Sequence, residues 1–205
     1  MSWEAIVWRL AGWDTPLWSG PNRRAGRYNR AGVGSTQYMC LHPWAPWAEM
    51  LRWDNRRTAS EAAELSGRVW SLRVVLPSPP RRISFDDAAA LSVAPEDLVS
   101  DDYTVCQDLA DEARNAGELA LMVPSAALPG TDSLVLFGPR VMVPWLLEPL
   151  DIAVDVQAAV AAERAGPPLE VLDSVRWRGV PHRGLQDWRA GRSSPFFERA
   201  PASTA

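Results

Sequence analysis

The clearest alternation of apolar and polar positions in this chain lies at residues 68–76, where Trp70, Leu72, Val74 and Leu76 would share one face of a strand. Pro77, Pro79 and Pro80 end it, since proline cannot donate to a ladder. Earlier, residues 3–10 read as a first strand with Arg9 near its end, and residues 36–40 as a second. Residues 12–22 between them form a Trp- and Pro-containing loop. Pro43 and Pro46 open a helix that carries Trp47, Met50 and Leu51 on one face, holds Glu49 in its first turns and runs to about Arg57. Residues 95–116 predict a longer helix, with Tyr103, Cys106, Leu109, Ala110 and Ala113 at helical spacing and Gly117 where a left-handed residue would close it. Strands at 118–123 and 133–137 follow, separated by a Pro129-Gly130 turn. An Ala/Val-rich helix is expected at 151–164, stopped by Gly166-Pro167-Pro168, and a last strand at 171–177.

Strands and helices do not alternate strictly, and no strand leads into a G-x-G-x-x-G turn, which disfavours a Rossmann-type site. The expectation is one mixed α+β domain, central strands flanked by helices, over residues 1–192. A flexible tail is expected at 193–205, its apolar pair Phe196-Phe197 apart.

Composition narrows the class. The 205 residues suffice for one core, and 47% apolar with 22% charged content excludes wholesale disorder. Eleven Trp is unusual, and six of them fall by residue 47. All 21 basic residues are Arg. Residues 1–85 hold twelve Arg against six acids, whereas residues 86–205 hold nine Arg against nineteen acids. The first part would attract a phosphate-bearing metabolite, while the overall charge of −4 argues against direct nucleic-acid binding. Cys40 and Cys106 lack the spacing of a disulfide framework, and His42 and His182 lie far apart, so no metal site is expected. The N-terminus has no secretory pattern and the most apolar run is broken by Gly138, Pro139 and Pro144; the expectation is cytoplasmic, with no membrane contact.

The stretch Gly26-Arg27-Tyr28-Asn29-Arg30-Ala31-Gly32 sets two guanidinium forks beside glycines. Such forks bind phosphate oxygens bidentately, and glycine lets the backbone approach closely. An Arg-rich surface loop would have the same composition. Likewise Tyr38 could be a half-buried strand aromatic, Glu49 a helix acid complementing the macrodipole, and Ser125 a turn residue. Arg9 on an apolar strand needs an acidic partner, and Glu49 is available.

Taken in order, Arg9, Gly26-Arg27-Tyr28-Asn29 with Gly32, Tyr38 and Glu49 resemble the N-terminal pattern of the RES domain family. The helix, Gly117, strand and Pro124-Ser125 segment, followed by Leu134-Val135-Leu136-Phe137, resembles its second half. The likeness covers about residues 5–145 and sets the family's Arg, Glu and Ser at Arg27, Glu49 and Ser125. Two departures stand out: Asp132-Ser133 where members often have Asn, and an acidic insertion between Glu49 and Ser125.

The resemblance implies a fold similar to ADP-ribosyltransferases and a toxin of a toxin–antitoxin pair that degrades NAD by hydrolysis or phosphorolysis. NAD is then substrate, inorganic phosphate a possible co-substrate, and no further cofactor is implied. It also implies an antitoxin with an Xre-like domain that covers the active site. Arg27 and Glu49 would be catalytic; Arg9, Tyr38 and Ser125 would bind substrate. Two alternatives stay open: transfer of ADP-ribose to a protein, and a non-catalytic interaction protein of the same fold.

Overall fold

The computed structural model describes residues 2–12, 22–138, 146–149 and 166–193, the stretch 146–149 by its backbone alone. Seven strands form one sheet: β1 (Trp3–Leu10), β2 (Thr36–Cys40), β3 (Val69–Leu76), β4 (Arg81–Arg82), β5 (Ala120–Pro124), β6 (Asp132–Phe137) and β7 (Leu146–Pro149). Their order is β4-β5-β6-β2-β1-β3-β7. β4 and β5 run parallel, and the other neighbours pair antiparallel. β1 and β3 pair along their whole length, from Trp3↔Leu76 to Leu10↔Val69. β1 and β2 meet in register at Trp8↔Cys40 only. The sheet therefore opens between β2 and β1, and the space faces the helix that follows β2.

That helix, α1 (Ala45–Asp54), starts with Pro46 in its first turn, where the missing N–H is no loss. It buries Trp47, Ala48 and Leu51 completely against Trp8, Cys40 and Val69. Full burial of Trp47 or Leu51 stabilises by about 1.5–3 kcal/mol each on area grounds. Asn55 ends the helix at φ 55°, returning its N–H to the Leu51 carbonyl. On the same face of the sheet's other half, α4 (Thr104–Asn115) turns Cys106, Leu109, Ala110 and Ala113 onto Leu121, Val123 and Val135. Gly117, at φ 77°, closes α4 as its position suggested. The opposite face packs Val7, Met39, Leu72, Val74, Leu134 and Leu136 into a third cluster.

The mixed α+β expectation holds, with three local corrections. Residues 95–103 are turns, and α4 begins only at Thr104. Leu98 and Val99 are buried and mimic helical spacing, but Asp102 caps Thr104, its Oδ1 accepting the Thr104 N–H at 2.9 Å and hydroxyl at 2.7 Å. Residues 171–177 form no strand: a 3₁₀ turn at Leu169–Val171 leads into further turns. Val171, Val175 and Arg176 are the buried positions, which is a turn spacing rather than a strand's alternation. Three short helices went unpredicted, α2 (Ala59–Ala63), α3 (Phe85–Ala88) and α5 (Arg183–Arg189). The first two carry capping boxes, Thr58 with Glu61 and Ser84 with Asp87, and His182 Nδ1 caps the third through the Leu185 N–H at 3.1 Å. The helix expected at 151–164, and the expected tail from residue 194 onward, lie outside the described residues.

Candidate active site

The turn at residues 26–29 is built around a close approach. Gly26 and Asn29 bridge through their backbones, the Gly26 N–H reaching the Asn29 carbonyl at 3.0 Å. A Cβ on Gly26 would stand 2.5 Å from Asn29 Oδ1 and 2.7 Å from the Tyr38 hydroxyl, so only glycine fits. The Tyr38 hydroxyl, projecting from β2, donates to Asn29 Oδ1 at 2.7 Å and accepts the Tyr28 N–H at 2.8 Å. Burial holds that hydroxyl well above its ordinary pKa, so it stays protonated. Asn29 and Tyr38 thus fix the turn, and the Tyr38 ring is left to face the cleft.

The turn aims Arg27 into a cleft of about 240 Å³ between α1, the ends of β5 and β6, and the loop before α4. Arg27 Nη2 donates to the Ser100 carbonyl at 2.7 Å and Nη1 to the Leu98 carbonyl at 3.5 Å, and its guanidinium stacks 4.7 Å over the Tyr103 ring. Arg30 points away. It pairs with Asp108 and with Asp111, the latter at 2.8 Å, and ties the turn to α4.

Opposite Arg27, Glu49 lies beyond the first turn of α1, so it does not complement the macrodipole. It reaches solvent along the cleft mouth, while protein crowds it from the other sides. That loss of solvent pushes its carboxyl up to about 7, against the pull of Arg27, a bond from the Cys40 thiol and the Arg52 charge. Arg52 and Trp53, at i+3 and i+4 from Glu49, share its side of the helix and line the same cleft. Arg52 pairs with Asp101, which also takes Arg176 Nη1 at 2.9 Å and the Gly179 N–H at 2.8 Å. Asp101 thereby brings the segment around residues 176–179, and with it Arg178, to the rim.

Of the five residues singled out from the sequence, Arg27, Tyr38 and Glu49 line this cleft together. Arg9 lines an adjoining cavity in the opening between β1 and β2, which shares Tyr38 and Glu49; its Nη1 donates to Gln37 Oε1 at 2.5 Å. Ser125 is 1% exposed, and its Oγ accepts the Leu128 N–H at 3.1 Å within the turn below the cleft floor. His182 Nε2 meets the Ser125 carbonyl at 3.0 Å and braces that turn; burial pushes the His182 imidazole down to about 4, which keeps it neutral. Arg52, Trp53, Tyr103 and Arg178 were missed. The first two were legible, since helical spacing from Glu49 places them beside it. Tyr103 lies in the acidic insertion, which is therefore a wall of the cleft and not a decoration.

Arginines at 27, 52 and 178 share with a single carboxylate, Glu49, a lining that also includes Tyr38, Trp53 and Tyr103. Such a lining suits an anionic, ring-bearing ligand. Among the described residues no cluster could hold a metal ion, and no helix is long and apolar enough to cross a membrane.

Comparison with known proteins bears on this geometry. The profile of the RES domain matches residues 6–162. A probable NAD(+) phosphorylase of Mycobacterium tuberculosis is 36% identical over 119 residues, which are 57% of this chain and 55% of that protein. The chain thus spans about half the length of this curated relative. A chain of the M. tuberculosis MbcT–MbcA toxin–antitoxin complex superposes with a TM-score of 0.62 at 18% identity, over 86% of this chain and 91% of that one. The last likeness shows a shared fold.

Proposed function

The chain belongs to the RES domain family, and on that premise we propose that it degrades NAD by cleaving the bond between nicotinamide and ribose. The observation that carries this reading is the pairing of Glu49 with Arg27 across one cleft whose lining is otherwise cationic and aromatic. Nicotinamide in NAD is a cationic leaving group. When the bond from its ring nitrogen to the anomeric carbon breaks, the electron pair goes to nitrogen and positive charge develops on the ribose, as in glycoside cleavage. A carboxylate facing that charge lowers the barrier by electrostatic stabilisation. Glu49 takes this role in its ionised form. Arg27 holds the adjoining diphosphate and is already oriented by the Ser100 and Leu98 carbonyls. Tyr38 offers its ring to the nicotinamide, its hydroxyl being engaged with Asn29.

Water or inorganic phosphate completes the reaction by bonding to the anomeric carbon and releasing a proton. The excess of arginine over carboxylate in the lining favours phosphate, and the name of the curated relative agrees. No cofactor is needed. By the same reading the protein is a cytoplasmic toxin, neutralised by an antitoxin with an Xre-like domain that covers the cleft; the shared fold with a toxin–antitoxin structure supports a partner of this kind.

The test is incubation of pure protein with NAD, with and without phosphate, following free nicotinamide and the ribosyl product. Nicotinamide release accelerated by phosphate, with the ribosyl product phosphorylated, is expected. Release that depends on an added protein, with label passing to it, would select the transferase alternative. No release under any condition would sink the enzymatic reading. Expression should arrest growth, and a neighbouring antitoxin gene should relieve the arrest.

A further inference from the structure

Trp53 is 58% exposed although it projects into a cleft. An indole in a concave, partly desolvated place with its face accessible is a platform for another ring. The Arg178 guanidinium lies 5.0 Å over one face of the indole, which is otherwise exposed. Arg178 is itself exposed, but its backbone is not free to wander: the Gly179 N–H is bonded to Asp101 at 2.8 Å, and the Arg176 N–H to the Ala127 carbonyl at 2.8 Å. A stacked aromatic–guanidinium pair is therefore delivered to the cleft by two segments remote in sequence.

Its place along α1 is informative. From Glu49 to Trp53 the helix advances by roughly 6 Å at 1.5 Å per residue, with Arg52 between them. Glu49 and Trp53, one turn apart, stand on the same face of α1. In an adenine dinucleotide the reacting ribose is joined through the diphosphate and a second ribose to the purine, so a ligand with that ribose at Glu49 extends toward the cleft rim.

We infer that Trp53 and Arg178 form the subsite for the adenosine end of the substrate: Trp53 stacks the purine, and Arg178 meets its adjoining phosphate. This inference rests on the NAD-cleaving reading for the direction in which the ligand lies, though not for the existence of the subsite. Base–aromatic stacking and a phosphate contact are each worth on the order of tenfold in affinity at such a site. The subsite sets specificity for a dinucleotide over a shortened substrate. It does not touch the reacting bond.

The experiment measures ADP and nicotinamide mononucleotide binding by calorimetry, then KM and kcat on NAD, for wild type, Trp53→Ala, Trp53→Phe and Arg178→Ala. Trp53→Ala and Arg178→Ala should weaken ADP binding about tenfold and raise KM for NAD in proportion. The change in kcat should be smaller, and nicotinamide mononucleotide should bind as before. Trp53→Phe should recover most of the loss, since a smaller ring still stacks. Unchanged ADP affinity in both alanine variants overturns the inference, as does an equal weakening of ADP and the mononucleotide. If wild type releases no nicotinamide from NAD while ADP binding still depends on Trp53, the subsite stands and the catalytic reading falls.

Discussion

The two sides of the cleft hold their arginines in different ways. On one side Arg27 is half-buried, bonded to two carbonyls and stacked on Tyr103. On the other, Arg178 is exposed and rests over Trp53. A charge that must hold the substrate in place beside the reacting bond gains most from being oriented beforehand, because its geometry is then fixed before the reaction. A charge that only binds the far end of a ligand tolerates looseness. On the proposed reading, the oriented Arg27 holds the diphosphate beside the bond that breaks, and the exposed Arg178 binds the far end of the ligand.

The comparison can be broken most forcefully at Glu49. Glu49→Gln should lower the rate of nicotinamide release by about 100- to 1000-fold while circular dichroism stays unchanged, since the amide keeps the shape and loses the charge. The same residue predicts a pH dependence. Its folded-state carboxyl is raised from an ordinary 4.5 to about 7. Between those values the native protein binds a proton that the unfolded chain has released. Stability from this group is therefore full below about 4.5 and is lost as pH rises through about 7. Turnover should rise across the same window as the carboxylate forms. Denaturation midpoints from pH 4 to 8 should slope less in Glu49→Gln than in wild type, and equal slopes would contradict the assignment.

Arg27→Lys tests the fixed side next. The charge is kept, but one ammonium cannot span the Ser100 and Leu98 carbonyls as a planar fork does, and a loss of roughly tenfold or more in kcat/KM is expected. Near-native turnover would mean that orientation is unimportant there. Asp101→Asn should loosen both sides together, because Asp101 holds Arg52, Arg176 and the Gly179 N–H. With its side chain 35% exposed, the expected stability loss by urea unfolding is about 1–2 kcal/mol, below that of breaking a fully buried pair. Ser125→Ala should have the smallest effect, about 1 kcal/mol of stability for the lost turn bond. A weakened NAD affinity at unchanged stability would return Ser125 to the substrate.

Much of the site was legible because its signals are local. The glycine at 26, the turn that follows, Tyr38 on a short strand and Glu49 on a helix are each read within a few residues of their own position. Trp53 is legible by the same rule, one turn beyond Glu49. Asp101, Tyr103 and Arg178 were not legible. Nothing near them in the sequence points to α1, and the composition of residues 86–118 suggests a solvated acidic surface.

The sequence by itself determined the strands at Trp3–Leu10, Thr36–Cys40 and Val69–Leu76, the helix after Pro46 and the stop at Gly117. Backbone sterics and the periodicity of burial act there over a turn or a strand. Only the tertiary structure decided which arginines converge. Arg30, three residues from Arg27, was captured by Asp108 and Asp111 of α4. Arg178 was delivered through a carboxylate 77 positions upstream, at Asp101. Ion pairs between segments depend on how the sheet and helices pack, and no local pattern encodes that choice.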